Sequence, residues 1–470
     1  MKNIIGTTFV LALTLCGCGD GGSDSAPPPP PTAPATPPVK RTGYFLNVKG
    51  VRYKSCGGYE GVTGDRGAFD YASYGQYNAP DCLVTFSIGK MQLGYPVLLD
   101  GDPYTHKVDA LVITPYDLVK YDYDARFNDD HSPDPIHEPA RNNILTMLES
   151  LTARPNSRGV IEISTETDQF ADSAGWSILW GAPDFRDRAT ALLGPANKTL
   201  VETTQAINDY APTVNCRNTG YYDGFGSGGH GTTQVYDSNG KETFDSIDLE
   251  VHGVVTPDGN AWLYLMDKQS PYNPVKVVDY DVWSGTVAPG AFGLGFNAVG
   301  SKSSGAVYFE DGFNMAVDNA TQIGAKDWTP GRFSVRQDER ANAFTRFTST
   351  SPHYFDLPVL KFAGRNDTHL LSLEVFADNT VRMIVNDAKS DTKTGSSDAA
   401  LLSGSVSGDT VTAESTGSQR SYKAVGTIDL ANMTVSVTVT VTTPTQPDPQ
   451  PYMSITAASG CTVSPTLDAT

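Results

Sequence analysis

Leu371-Ser372-Leu373-Glu374-Val375-Phe376 runs into Ala377-Asp378-Asn379-Thr380 and returns as Val381-Arg382-Met383-Ile384-Val385. Apolar residues recur at every second position on both arms, which is the period of a β-strand with one buried face. Asp-Asn between the arms suits the backbone angles of a tight turn, so the stretch predicts a β-hairpin. An earlier stretch has the same form. Leu249-Glu250-Val251-His252-Gly253-Val254-Val255 turns at Thr256-Pro257-Asp258-Gly259 and returns as Ala261-Trp262-Leu263-Tyr264-Leu265. Each hairpin is followed by a Gly-Thr strand: Ser284-Gly285-Thr286-Val287 in the first, Gly426-Thr427-Ile428-Asp429-Leu430 in the second. The hairpins lie about 120 residues apart, a weak internal repeat. Thr434-Val435-Ser436-Val437-Thr438-Val439-Thr440-Val441 then alternates strictly. The fold class expected is mainly β. Residues 213–355 and 356–445 are read as two antiparallel β-barrel or sandwich units. Residues 446–470 are read as an extended tail, rich in proline at Pro447 and Pro449, that brings Cys461 back.

Upstream of these units, Tyr44-Phe45-Leu46-Asn47-Val48 and Leu83-Val84-Thr85-Phe86-Ser87-Ile88 read as strands. Gly58, Gly61, Gly64 and Gly67 punctuate the turns between them. Residues 43–139 are expected to form a small β-sandwich-like module that ends in an acidic loop. Ile144, Leu145, Met147, Leu148 and Leu151 share one helical face. Arg186 to Leu193 and Lys198 to Tyr210 read as two further helices separated by Gly194-Pro195. Residues 140–212 are therefore expected to be a helical insertion or lid.

Residues 1–17 have the form of a secretory signal: Lys2, then the apolar run Phe9-Val10-Leu11-Ala12-Leu13-Thr14-Leu15. A run of about 10 residues is too short to span the roughly 30 Å of hydrocarbon in a bilayer. Leu15-Cys16-Gly17-Cys18 resembles the bacterial lipobox, in which the cysteine after a small residue is lipidated. That resemblance implies an acyl chain such as palmitate on Cys18. Gly19 in place of an aspartate implies the outer membrane. Residues 18–42 continue as Gly/Ser/Asp and then a proline run, with no face that can pack: a flexible and then semi-rigid tether.

Gly50-Val51-x-Tyr53, Gly61-Val62-Thr63-Gly64-x-x-Gly67-x-Phe69-x-Tyr71, Val84-Thr85-Phe86-Ser87-Ile88-Gly89 and Leu93-Gly94 together resemble the N-terminal module of proteobacterial surface lipoproteins. The resemblance covers about residues 43–165. It implies a small β-sandwich of the prealbumin or carboxypeptidase-regulatory type. A leucine-rich helix, a turn and a Gly-Ile element follow in those relatives. Here they correspond to Asn142-Asn143-Ile144-Leu145-x-Met147-Leu148-x-x-Leu151, the turn, and Gly159-Val160-Ile161. The turn Ala153-Arg154-Pro155-Asn156-Ser157-Arg158 lacks the acidic residues common in that family, which speaks against calcium there.

The 470 residues carry 34 basic and 53 acidic side chains, for a net charge of −19. No basic stripe is available to neutralise phosphates, which excludes nucleic acid as the main partner. With Cys18 assigned to lipid, Cys56, Cys82, Cys216 and Cys461 remain, and four cysteines allow three pairings. An exported chain favours disulfides, and the pairing favoured is Cys56–Cys82, both inside the first β-rich unit, with Cys216–Cys461, which brackets the last one.

Catalytic motifs are weak. Gly224-Phe225-Gly226-Ser227-Gly228-Gly229 fits the dinucleotide spacing but sits among strands with no helix after it. Gly175-Trp176-Ser177-Ile178-Leu179 lacks the last glycine of a nucleophile elbow. Asp129, Asp130, His131, His137 and Glu138 form an acidic, two-histidine loop that could hold Ca²⁺ or Zn²⁺; a solvated linker competes with that reading. Asp237-Ser238-Asn239-Gly240 reads as a hairpin turn. Tyr71, Tyr74 and Tyr77 could present an aromatic face, and Trp262, Trp283 and Trp328 read as barrel core. No cofactor is indicated. The function expected is a lipid-anchored envelope lipoprotein, periplasmic or surface-facing, that acts as a non-enzymatic binding, adhesion or assembly module. Its partners would be the membrane, through the anchor, and a protein or glycan ligand. The alternatives are a ligand-capturing β-barrel lipoprotein and a surface hydrolase acting on glycans. For the hydrolase, Glu310-Asp311 and Asp245/Asp248/Glu250 are the carboxylates to inspect.

Overall fold

The computed structural model describes residues 39–73, 82–98, 112–119, 137–153, 159–227, 233–236, 242–245, 247–269, 276–288, 294–300, 304–310, 314–318, 332–336, 357–387, 399–416 and 420–463. Short strands open this region: β1 (Val39–Phe45), β2 (Val48–Lys49), β3 (Arg52–Lys54), β4 (Glu60–Val62) and β5 (Ala68–Ser73). Then come β6 (Leu83–Ile88), β7 (Met91–Gln92), β8 (Val97–Leu98), β9 (Val112–Ile113) and, after a helix, β10 (Ile161–Glu162). β1 lies between β5 and β9, and β3 lies between β4 and β6. The two sheets face each other through aromatic rings. Phe45 of β1 stacks on Phe86 of β6 at 4.4 Å, and Phe69 of β5 meets Phe86 edge-on at 5.4 Å.

The helices are α1 (His137–Leu151), α2 (Thr165–Ser173), α3 (Phe185–Leu193) and α4 (Thr203–Asn218). The apolar face expected on α1 is completely buried, and it joins the same core as Phe45, Phe69 and Phe86. The stretch 140–212 is therefore a wall of the N-terminal core, which corrects the reading of it as an insertion or lid. Helix α2 escaped the sequence reading because its apolar face is short. Its start is set by Ser164, whose hydroxyl accepts from Thr167 N at 3.2 Å. α4 continues through Pro212 to Asn218, so the boundary placed at 213 moves to 219. Tertiary ties outweigh the proline there: the Tyr210 hydroxyl donates to Leu46 O at 2.6 Å, and Cys216 is covalently held.

The first barrel contains β11 (Gly220–Ser227), β14 (Ile247–Val255), β15 (Asn260–Gln269), β16 (Lys276–Ala288), β17 (Leu294–Gly300), β18 (Ser304–Glu310), β19 (Asn314–Asp318) and β20 (Arg332–Arg336), closed in that order. A side hairpin, β12 (Thr233–Tyr236) with β13 (Glu242–Asp245), hangs between its first two strands. The second barrel contains β21 (Leu360–Arg365), β22 (His369–Val375), β23 (Thr380–Asp387), β24 (Ala399–Ser407), β25 (Thr410–Thr416), β26 (Ser421–Asp429), β27 (Thr434–Thr443) and β28 (Gln446–Thr462). β28 pairs with both β27 and β21. The stretch read as a tail from 446 is thus the closing strand, and the unit read as ending at 445 is complete only with it. Its prolines misled because they occupy the exposed stretch before Tyr452, where β28 pairs on one side only; Pro is tolerated at such an edge.

The repeat seen in the sequence falls on equivalent strands. Val255, Ala261 and Gly285 line up across the second, third and fourth strands of the first barrel. Val375, Val381 and Gly404 do so in the second. Both turns close alike: Thr256 N donates to Asn260 O at 2.8 Å, and Phe376 N to Thr380 O at 2.9 Å. Gly259 and Asn379 both take positive φ, 81° and 65°. The Gly-Thr pairs do not correspond, since Gly426 lies on the sixth strand; Gly404 is the counterpart of Gly285. A Cβ on Gly404 would come within 1.8 Å of Thr412 O, so only glycine fits.

Inside the second barrel, Phe362, Leu373, Met383, Leu402 and Val439 are wholly buried. The lumen is a packed core. The alternate residues on the far wall, Thr410, Thr412, Thr427, Ser436 and Thr438, face water. The wall near the first barrel is different. There Ala363, Leu370 and Ile384 pack against Tyr221 and Val254, so β22 is buried on both faces.

Candidate functional site

One end of the second barrel gathers the polar and aromatic groups. Asn366 Oδ1 accepts from Thr368 N at 2.9 Å and His369 N at 2.8 Å, a side-chain turn that starts β22. Register then sets His369 opposite Asp387, the last residue of β23. The Asp387 carboxylate lies 3.8 Å from His369 Nε2, and the Thr368 hydroxyl is 2.6 Å from Nδ1. Tyr452 of β28 stands edge-on to His369 at 5.2 Å and to Tyr422 at 5.1 Å; its hydroxyl accepts from Asp387 N at 3.1 Å. Hydroxyl, imidazole and carboxylate have the composition of a nucleophilic triad. The 3.8 Å separation is too long for the hydrogen bond that orients a catalytic base. Rings with a carboxylate at a barrel end offer stacking and hydrogen bonding to a ligand.

A second cluster lies between the barrels. The Tyr221 hydroxyl is 2.6 Å from His252 Nδ1, and Asn386 Nδ2 donates to Tyr221 Oη at 2.6 Å and lies 3.1 Å from the same Nδ1. All three residues are at most 2% exposed. A network so buried fixes the mutual orientation of the barrels.

Charge is also buried where α4 meets the second barrel. Glu374 Oε2 accepts from Arg382 Nε at 2.6 Å, and Lys361 Nζ lies 3.7 Å from Glu374 Oε1. Lys361 donates to Arg217 O at 2.7 Å, in the last turn of α4, where the helix dipole favours a cation. Beside it, Cys216 of α4 is joined to Cys461 of β28, with Cα atoms 5.8 Å apart. Cys56 and Cys82 are joined as well. Both pairings are those expected.

The other sequence candidates are dispersed. Cys18, Asp129, Asp130 and His131 lie outside the described residues; His137 and Glu138 open α1. No three His, Cys, Asp or Glu side chains converge among the described residues. Asp248 and Glu250 lie on β14, while Asp245 ends β13. Glu310 ends β18 opposite Asn314, and Asp311 lies outside the described residues, as do residues 237–240. The glycines from 224 continue strand β11, and 228 and 229 lie outside the description. Tyr71 is core; Tyr74 and Tyr77 are not described. Trp283 lies on β16 and Trp328 is not described. Trp262 is not barrel core: it lies at the seam between the barrels, under the Arg365 guanidinium at 4.9 Å. His369, Asp387, His252 and Asn386 were missed. The signal for the seam was Leu370-Leu371-Ser372-Leu373, where apolar residues fall on both faces of one strand. No protein-family model, curated protein or solved structure matches the chain.

Proposed function

We propose that this chain is an envelope lipoprotein, anchored in a membrane through acyl chains on Cys18, whose folded part is a non-enzymatic binding or assembly module. The alternation of the second barrel carries this reading. Its interior is apolar and filled, and its far wall is a field of threonine and serine hydroxyls. A barrel that crosses a membrane needs an apolar wall facing lipid. A barrel of the opposite sense stands in water, and its attachment to a membrane falls to a tail. The sequence of residues 15–42 supplies one. The two disulfides suit an oxidising compartment. A filled lumen leaves its mouth and the outer wall for ligand recognition, and the His369–Asp387–Tyr452 mouth is the part with the chemistry to recognise a protein or glycan.

Cys18→Ala is expected to abolish incorporation of labelled palmitate and to move the protein from the membrane pellet to the soluble fraction. Globomycin is expected to leave the wild-type precursor unprocessed. A Cys18→Ala form that stays in the pellet would overturn the anchor. For the binding role, wild-type and Tyr452→Ala chains are compared in pull-downs from solubilised envelopes. A partner retained equally by both would remove that end of the barrel from consideration.

A further inference from the structure

Helix α1 packs along α4, and a carboxyl group is caught between them. Glu149 lies in the last turn of α1 and is 8% exposed. The position is adverse twice over: the C-terminal end of a helix carries partial negative charge, and Asp209 of α4 adds its own negative field. No described donor answers the Glu149 carboxyl. Lys198 donates to Thr152 O at 3.0 Å. Arg141 stands on the same helix about 12 Å up the axis, two turns away. Arg217 of α4 is committed to Asp117 at 3.4 Å and to Val112 O at 3.2 Å. From the turn Pro115–Leu118, Tyr116 presents a buried hydroxyl with no partner among the described residues, and Asp117 is the acid that holds Arg217. The Tyr210 proton goes to Leu46 O. Asp209, and Glu162 of β10 packed against α1, add acids rather than donors, so no described group supplies the Glu149 carboxyl with a compensating charge.

We propose that the α1–α4 seam is a proton-operated joint: protonated Glu149 lets the helices close, and its ionisation beside Asp209 loosens α4. α4 is also the element that grips the second barrel, through Arg217 O to Lys361 and through Cys216 to Cys461. A change in the seam is therefore transmitted to the barrel. Burial first, and the Asp209 charge second, push the Glu149 carboxyl from 4.5 up to about 7. A carboxyl raised in the folded state favours folding while it is protonated. That contribution is full below 4.5 and is given up as pH rises from 4.5 to 7.

The test uses the full chain at constant ionic strength, with thermal unfolding from pH 4.5 to 8.5 and amide exchange of α4 at pH 5.5 and 8. Wild type is expected to lose a few degrees of midpoint between pH 4.5 and 7 that Glu149→Gln retains. Intrinsic-rate-corrected exchange in 203–218 is expected to rise about tenfold in wild type and not in the variant. Asp209→Asn keeps the carboxyl but removes its neighbour, so the transition is expected to move to lower pH. Should wild type and Glu149→Gln follow one pH profile, or should Asp209→Asn leave the wild-type profile where it is, the joint does not exist.

Discussion

Replacing Cys216 by Ser is expected to lower the unfolding free energy of the second barrel by about 5 kcal/mol. The bond spans a sequence separation of 245 residues, and the entropy it removes from the unfolded chain grows with the logarithm of that length. The shorter Cys56–Cys82 loop, with a separation of 26, is worth about 3.5 kcal/mol on the same argument. Packing adds to the long bond. Cys216 is 1% exposed and lies among Leu46, Leu357 and Val463, so a serine hydroxyl there is buried in apolar surroundings. Urea unfolding of oxidised wild type, reduced wild type, Cys216→Ser and Cys461→Ser is the measurement. The last three are expected to cluster together, well below the first. A difference under about 1 kcal/mol would mean that the contacts of α4 hold the barrel without the bond.

Removing Glu374 is expected to be nearly as damaging. It is 4% exposed and answers two cations, Arg382 at 2.6 Å and Lys361 at 3.7 Å. Glu374→Ala takes away the carboxylate that Lys361 and Arg382 share, and breaking a buried pair from one side costs about 3–5 kcal/mol. The ion pairs themselves are worth far less than this, because desolvation offsets most of their attraction. The triple replacement Lys361→Met, Glu374→Leu, Arg382→Met is therefore expected to unfold close to wild type. If the triple variant is as unstable as Glu374→Ala, the bond from Lys361 to Arg217 O, rather than the charge balance, carries the stability.

The two-residue alternation made the barrels legible, because each strand of the second barrel has one face in a core and, on the far side, one in water. Their eight-strand closure was not legible. Pro447, Pro449 and Pro451 hid β28, since a local preference against strands was overridden by pairing with β27. The helices were partly visible. Ile144 to Leu151 announced α1, but nothing in that face says that its partner is the sheet carrying Phe45. The recognition end was invisible for a physical reason. His369 and Asp387 are 18 residues apart and meet only through the register of β22 with β23. Asn386 and Asp387 are neighbours in sequence and serve opposite faces, one bonding to His252 of the other barrel and the other lying beside His369.

The order in which ribosomes deliver the chain bears on how the second barrel forms. β21 pairs with β28, so the strand that seals the cylinder is the last of its eight to be synthesised. No nascent fragment that ends before Gln446 can seal, whatever time it is given. Until then β21 and β27 expose open edges, which invite pairing with other chains. Assembly of this half is an end-of-synthesis event, and a holding chaperone would be needed most in the interval just before the final strand arrives.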